Sequence, residues 1–299
     1  MKLLVAAAAL LLTPIQTVPL PRATGIAAAP NGKMLVARSG VGSLGTLTVY
    51  RRESNGKLTK LQCVTRNARV CTNGRGLETP SALAFSPDGT NLYVTAANGR
   101  SLGIYRVAGN RLAYAGVVTG LAHPQAVVVS PAGDTVYVGG DRIWEFERTR
   151  GGGLVLRSTI NAPARALAVD DGTLYAASMG KLTTYARSDL TETGSVASPL
   201  LRQPNAVALA RGALYVVSLG NVSRWSHALQ PLGSAGNLPL AFGLAVTDRV
   251  YVAYRDGLET LTPALQKLRL ARVPHAVGVT VVGRRAYVVA SARISVLPV

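Results

Sequence analysis

Residues 86–107 read SPDGTNLYVTAANGRSLGIYRV, and residues 130–148 read SPAGDTVYVGGDRIWEFER. Each stretch places a Pro-Asp-Gly or Pro-Ala-Gly turn before a short apolar run that contains Tyr-Val. A Gly-containing loop and a second run of alternating residues follow. Proline, aspartate and glycine favour tight turns, and short alternating runs favour strands. Both stretches therefore predict the order turn, strand, loop, strand.

The same pattern recurs along the chain, which indicates a repeat protein. Six copies begin at Pro80, Pro124, Pro163, Pro204, Pro239 and Pro274, and their tyrosines are Tyr93, Tyr137, Tyr175, Tyr215, Tyr251 and Tyr287. A weaker copy begins at Pro21 and has Leu35 at the tyrosine position. Copies spaced by roughly 35–45 residues, each with four short strands, are typical of propeller blades. We therefore predict an all-β, seven-bladed β-propeller with four-stranded antiparallel blades, whose strands are named A to D.

Ring closure requires a strand from the other end of the chain, because the last copy ends at RISVLPV, its strand C. The segment LTPIQTVPLP, residues 12–21, has the form of the D strands elsewhere, such as LQKLRLARVP. A blade that is apolar on both faces cannot be buried alone, whereas a blade in a closed ring can. We therefore predict that the N-terminal strand closes the last blade and that residues 12–299 form one domain.

The N-terminus, MKLLVAAAALLL, has one lysine followed by ten apolar residues. This run is too short to span a bilayer but suits a secretory signal, although no small-residue cleavage site is clearly placed. It predicts a signal peptide over residues 1–11 and a secreted or periplasmic protein. The alternative is an apolar strand at the N-terminus of a cytoplasmic protein.

Two cysteines, Cys63 and Cys71, lie in an insertion over residues 62–79 that precedes the second copy. In an exported protein an even pair that brackets a short loop predicts one disulfide. Two independent reduced thiols are the cytoplasmic alternative.

The composition, 48% hydrophobic and 15% charged residues, excludes a disordered chain. The 32 Lys and Arg residues exceed the 14 Asp and Glu residues, and the net charge of +18 admits anionic partners. Because no dense basic run or aromatic-interleaved patch is present, we predict no specific nucleic-acid recognition. Arginines recur near the ends of the C strands, at Arg51, Arg52, Arg106, Arg148, Arg187 and Arg224. They predict either a solvated outer rim or a surface that docks an anionic polymer.

These repeats resemble the YVTN-type repeat of lactonase-like seven-bladed β-propellers. The stretch from Cys63 to Gly89 resembles exported bacterial members that carry a paired-cysteine insertion before a blade. The resemblance covers nearly the whole chain as architecture, and it implies the fold more specifically than an activity, because one fold hosts many functions.

In propellers the D-to-A and B-to-C loops surround the mouth of the central channel on one face. The residues beside each leading proline are therefore candidates for a ligand site. They include Arg22, Glu78, Ser81, His123, Gln125, Arg165, Asn205 and His275. A water-filled channel without a ligand is the alternative.

The lactonase-like resemblance implies a hydrolase in which a histidine, an arginine and a carboxylate open a lactone. His123, Arg165 and Glu78 are the candidates for these roles. Most aspartates fall in A-to-B turns on the other face, so we expect no metal and no cofactor. The favoured prediction is a monomeric, non-catalytic binding or scaffold protein. The alternatives are a lactonase-like hydrolase and an envelope protein that binds an anionic polymer.

Overall fold

A computed structural model describes residues 13–40, 45–66 and 69–299, in which the chain forms seven sheets. The signal peptide predicted over residues 1–11 lies outside the described residues. The described part contains a single helical element, a 3-10 turn at Pro199–Leu201. No helix in these ranges is long and apolar enough to cross a membrane.

The N-terminal strand is β1 (Gln16–Pro19). Blade 1 contains β2 (Ala23–Ala28), β3 (Met34–Ser39), β4 (Thr46–Arg52), β5 (Leu58–Thr65) and β6 (Thr72–Asn73), and blade 2 contains β7 (Pro80–Phe85), β8 (Asn91–Ala96), β9 (Ser101–Ala108) and β10 (Arg111–Thr119). Blade 3 contains β11 (Ala126–Val129), β12 (Thr135–Gly139), β13 (Ile143–Arg148) and β14 (Leu154–Ile160), and blade 4 contains β15 (Ala166–Val169), β16 (Thr173–Ser178), β17 (Lys181–Ala186) and β18 (Glu192–Ala197). Blade 5 contains β19 (Pro204–Ala210), β20 (Ala213–Ser218), β21 (Gly220–Trp225) and β22 (Pro231–Leu238). Blade 6 contains β23 (Gly243–Val246), β24 (Val250–Tyr254), β25 (Gly257–Leu261) and β26 (Lys267–Ala271), and blade 7 contains β27 (Ala276–Val282), β28 (Arg285–Ala290) and β29 (Arg293–Pro298).

The A strands line the centre of the ring. Each A strand contacts the A strand of the next blade, and β27 of blade 7 contacts β2 of blade 1. Within each blade the A, B, C and D strands pair antiparallel in chain order. The predicted seven-bladed, all-β propeller is therefore confirmed.

The N-terminal strand closes the ring as predicted. Strand β1 pairs antiparallel with β29, from Gln16 opposite Val296 to Pro19 opposite Arg293. Immediately after β1, the Leu20 backbone N–H donates to the Ala292 carbonyl at 2.9 Å, and the Leu20 side chain is buried. Blade 7 therefore takes its D strand from the opposite end of the chain.

The described core consists of seven apolar clusters, and each cluster lies between two adjacent blades. Alternate residues of one B strand serve two clusters. In β20, Leu214 and Val216 pack toward blade 4, whereas Tyr215 and Val217 pack toward blade 6. Because each blade is apolar on both faces, its burial depends on both neighbours.

In blades 2, 5 and 7 the repeated tyrosine of strand B donates a hydrogen bond to a carbonyl of the next blade. The Tyr93 hydroxyl of blade 2 donates to the Gly152 carbonyl of blade 3 at 2.9 Å. Equivalent bonds run from Tyr215 to the Pro263 carbonyl at 3.0 Å and from Tyr287 to the Gly56 carbonyl at 2.8 Å. The repeat therefore places one polar bond inside an otherwise apolar interface, with its hydroxyl satisfied.

Blade 1 has a different residue at the tyrosine position than the sequence predicts. Met34 and Val36 of blade 1 pack toward blade 2, just as Tyr93 of blade 2 packs toward blade 3. Leu35 packs instead with Tyr287 of blade 7. Because side chains alternate along a strand, Val36 occupies the tyrosine position and the Leu35 alignment is wrong by one residue.

The interpretation of the C-strand arginines as a solvated rim is wrong for three of them. The Nε atoms of Arg52, Arg148 and Arg187 donate to tyrosine hydroxyls of the preceding blade, at 2.8, 3.0 and 3.4 Å. The Arg148 side chain is only 9% exposed. These arginines lie in the interfaces because the tyrosine hydroxyls of the preceding blade reach the ends of the C strands.

The cysteine-bearing insertion joins blades 1 and 2. Cys63 and Cys71 form a disulfide, which is compatible with an oxidising, extracytoplasmic compartment. Strand β6 adds a short parallel fifth strand to blade 1. The Gln62 amide pairs with both backbone groups of Leu112 in blade 2, at 2.8 and 2.9 Å. The insertion therefore links blades 1 and 2 at the outer edge of the ring.

A carboxylate network lies at the A-to-B turn of blade 2. Asp88 Oδ1 accepts from the Ser86 hydroxyl and from the Thr90 backbone N–H, and Oδ2 accepts from Arg148 Nη2 at 2.8 Å. Partial burial acts to raise the pKa of Asp88, but these hydrogen bonds outweigh it and hold the pKa well below its usual value.

The closure strand yields a stability prediction. Leu20→Ala should destabilise the protein by about 2–3 kcal/mol, because it empties a buried site between blades 7 and 1. Ile15→Ala, at a residue 37% exposed in the same segment, is the control and should change stability little. Chemical denaturation measures both variants, and equal effects would contradict this role of Leu20.

The Asp88 network yields a pH prediction. An aspartate in the unfolded chain titrates at about pH 4. Ionised Asp88 therefore stabilises the fold above that pH. This contribution is lost as the pH falls through the lower pKa that Asp88 has in the native state. We expect Asp88→Asn to unfold at a lower temperature than the native protein at pH 7. The difference should narrow below about pH 4. Thermal unfolding over a pH series tests this, with Asp171→Asn as the control, and a difference independent of pH would contradict it.

Candidate functional site

One residue from each blade lines the channel mouth, immediately before or at the start of strand A. These seven residues, here called the mouth ring, are Thr24, Ser81, Gln125, Arg165, Asn205, Phe242 and Val277. They border a cavity of about 450 Å³ together with Arg38 from strand B of blade 1. Ser81, Gln125, Arg165 and Asn205 were predicted from the sequence, whereas Thr24, Phe242, Val277 and Arg38 were not.

A β-bulge places the ring residue in blades 1, 2, 5 and 7. In blade 2, Pro80 pairs with Ala96 and Ala82 pairs with Thr95, so Ser81 is the extra residue between them. The same shift occurs in blades 1, 5 and 7. In blade 3 the Gln125 backbone N–H already bonds strand B although strand A begins one residue later. A bulge frees one side chain from the sheet and turns it toward a site.

The leading prolines do not mark a single structural position, which explains the missed residues. In blades 2, 3 and 5 the proline directly precedes the ring residue, as Pro80 precedes Ser81. In blades 6 and 7 it lies three residues before, as Pro274 precedes Val277. The better sequence signal is the pair of small residues that flanks each ring residue, such as Ala276 and Gly278.

The turns before the ring residues carry three of the predicted candidates away from the cavity. The residue two positions before the ring residue has a left-handed backbone in six blades, with φ between 45° and 61°. These residues are Arg22, Thr79, His123, Gln203, Leu240 and His275. Arg22, His123 and His275 are exposed and do not line the mouth cavity.

The three residues proposed for hydrolysis do not share one cavity. Arg165 lines the mouth. His123 Nδ1 lies 2.8 Å from Asp141 Oδ2 in an exposed pair on the rim. Glu78 lines a separate cavity beside the insertion, where its Oε1 accepts from Arg66 Nη1 at 2.8 Å. His275 also borders another cavity, with Arg255 and Arg272.

Hydrogen bonds around the mouth join blades 1 and 2, 2 and 3, 4 and 5, and 5 and 6. The acceptor in each case is the carbonyl of the residue that precedes the next ring residue. Ser81 Oγ donates to Pro124 at 2.7 Å, Asn205 Nδ2 donates to Ala241 at 2.8 Å, Arg165 Nε donates to Pro204 at 3.4 Å, and Arg38 Nη1 donates to Pro80. These bonds fix the orientation of the polar side chains at the mouth.

Arg38 is the unusual residue of the mouth. It lies opposite Gly25 in the pairing of strands A and B, at a position where the other blades have Thr, Gly, Ala or Val. A Cβ at residue 25 would lie 2.5 Å from Arg38 Nε, so glycine makes room for the guanidinium. Once the pairing of strands A and B is known, Arg38 stands out as the only charged residue at this position among the seven described blades.

Arg38 and Arg165 give the mouth its electrostatic character. Burial lowers the pKa of the Arg38 guanidinium to about 10, so it remains a cation at neutral pH. Within the described chain, neither arginine forms an ion pair with a carboxylate. Phe242 and Val277 form an apolar wall of the same cavity. The site therefore presents two cations beside hydroxyl and amide groups and an apolar surface.

The surrounding loops extend this positive charge across the mouth face. They carry the exposed arginines Arg22, Arg100, Arg142, Arg202, Arg255 and Arg272, opposed there by Asp141 and Asp256. Asp88, Asp134, Asp170 and Asp248 lie in or beside turns on the opposite face. A concave site with charge of one sign raises the local concentration of oppositely charged ligands. Among the described residues, no group of three His, Cys, Asp or Glu could hold a metal ion.

Comparisons with known proteins agree with this fold. A family model described as lactonase, 7-bladed beta-propeller, matches residues 41–159. The WD40 repeats of RRP9 superpose with a TM-score of 0.77 at 12% identity, over 96% of this chain and 98% of that chain. A proposed 6-phosphogluconolactonase from Bacteroides uniformis superposes with a TM-score of 0.67 at 14% identity, over 83% of this chain and 85% of that chain. No curated protein matches the sequence. The family match and the seven blades confirm the resemblance to lactonase-like seven-bladed β-propellers.

Proposed function

We propose that this propeller binds a small, oxygen-rich anion, such as a sugar acid or a sugar phosphate, in its channel mouth. The observation that carries the proposal is the pair Arg38 and Arg165, which line one cavity without a carboxylate partner among the described residues. Guanidinium groups bind carboxylate and phosphate through paired hydrogen bonds. A ligand of this class would supply the negative charge that pairs with the two arginines.

The other ring residues suit the rest of such a ligand. Gln125 and Asn205 offer amides, and Ser81 and Thr24 offer hydroxyls, for the hydroxyl groups of a sugar. Phe242, which is 40% exposed, offers an aromatic face for the C–H side of a sugar ring. Charge, hydrogen bonds and an apolar wall together would fix the orientation of the ligand.

The binding proposal is tested by calorimetric titration with 6-phosphogluconate and with neutral glucose. We expect saturable binding of the phosphorylated acid, no detectable binding of glucose, and at least a tenfold loss of affinity in Arg165→Gln. Arg202→Gln is the matched control, because it removes an exposed arginine from the same face but outside the cavity. Equal losses of affinity in both variants would show that the overall charge of the face causes the effect. That result would contradict a specific binding site in the mouth.

A second candidate function is the hydrolysis of a sugar lactone. The lactonase family match over residues 41–159 favours it, and the solved structure of a proposed 6-phosphogluconolactonase shares the fold. Arg165 and Arg38 would stabilise the oxyanion that forms when water adds to the lactone carbonyl. The residues that line the cavity within the described chain include no carboxylate or imidazole, so the attacking water would not meet a general base there.

The hydrolase candidate is tested by following 6-phosphogluconolactone hydrolysis in a pH-stat against its spontaneous rate. Oxyanion stabilisation predicts a protein-dependent rate that falls about 10²-fold or more in Arg165→Gln and not in Arg202→Gln. Tight binding of 6-phosphogluconate without any acceleration would exclude this hydrolysis and would leave the binding function. Acceleration that persists in Arg165→Gln would contradict the role given to that residue.

A further inference from the structure

A second cationic cavity lies on the opposite face, where blade 7 meets blade 1. Its volume is about 510 Å³. Arg52 comes from the end of strand C in blade 1, and Arg284 and Arg285 come from the A-to-B turn and strand B of blade 7. The cavity thus lies beside the seam that the N-terminal strand closes, and it is separate from the mouth.

Residues of blades 1 and 7 contact each other around this cavity. Arg52 Nε donates to the Tyr287 hydroxyl at 2.8 Å, which fixes the guanidinium at the interface. A Cβ at Gly283 of blade 7 would lie 3.7 Å from Arg52 Nη2. A Cβ at Gly56 of blade 1 would lie 2.7 Å from Arg285 Cγ, so Arg285 extends over the turn of the neighbouring blade. Each blade therefore places an arginine against a glycine of the other.

None of the described residues that line this cavity has an acidic side chain. In the described ranges, none of the three arginines forms an ion pair with a carboxylate. Glu53 follows Arg52 directly in the chain, but its Oε1 accepts from Arg51 Nε at 2.9 Å. Three cations around one cavity repel each other, and a bound anion would relieve that repulsion.

We propose that this cavity binds an oxyanion group, phosphate or sulfate, between Arg52, Arg284 and Arg285. Tetrahedral oxyanions present several acceptor oxygens, which suit guanidinium groups that approach from two sides. Ser54 and Asn55 line the same cavity and supply a hydroxyl and an amide as further donors. Because the arginines come from the first and the last blade, the bound anion links the two ends of the ring.

The experiment measures thermal unfolding at constant ionic strength while chloride is replaced by inorganic phosphate or sulfate. A ligand that binds only the folded state stabilises it by RT ln(1 + c/Kd) at a free ligand concentration c, so the unfolding temperature rises with the logarithm of ligand concentration above Kd. We expect this logarithmic increase for the native protein and at least a tenfold weaker apparent affinity for Arg284→Gln with Arg285→Gln. The double variant Arg150→Gln with Arg249→Gln removes the same charge from the same face and should respond as the native protein does.

Two further measurements separate this site from the mouth and identify the source of the anion. Arg165→Gln should keep the phosphate response even if it loses ligand binding at the mouth, so failure of one proposal leaves the other testable. Sedimentation with vesicles of phosphatidylcholine with and without phosphatidic acid identifies the source: binding only to the vesicles with phosphatidic acid assigns the oxyanion to a lipid headgroup, and no binding to either assigns it to a free ion. Near-ultraviolet circular dichroism verifies that the variants fold. An equal response in the two double variants, or an increase that is linear in anion concentration as for an excluded salt, would overturn the proposal.

Discussion

The constraint on which the structure depends is that every blade is apolar on both faces. No blade can be buried unless it has two neighbours, so seven blades are stable only as a closed ring. The seven core clusters follow from this, one at each interface in the described chain. The strand at Gln16–Pro19 is then necessary, because it completes blade 7 from the other end of the chain.

The same constraint separates the residues that maintain the fold from those available for function. Apart from Arg38, which lines the mouth, the buried residues of strands B and C pack between blades, and arginines such as Arg148 bond there to tyrosine hydroxyls. At the start of strand A, a bulge releases one side chain from the sheet in blades 1, 2, 5 and 7. The mouth ring therefore varies in chemistry, from Arg165 to Phe242, while the backbone that presents it is repeated.

The architecture could be predicted well from the sequence because local residue types define each repeat. Turn residues, alternating strands and Tyr-Val runs specified seven blades, and the missing last strand specified closure. The individual residues of the mouth were harder to predict. Prolines stand one to three residues before the ring residues, so aligning on them selected His275 in place of Val277. Arg38 was missed because its neighbours across the sheet are visible only once the register is known. His123 and Glu78 lie outside the cavity because the left-handed turns and the insertion hold them elsewhere.

The central functional claim is that the two arginines of the mouth form an anion site within a preorganised ring. The most direct test is a crystal structure of the protein soaked with 6-phosphogluconate. The account predicts density in the mouth cavity, with the phosphate or carboxylate oxygens within hydrogen-bond distance of both Arg38 and Arg165. An empty mouth, or a ligand bound there without contact to either guanidinium, would contradict it.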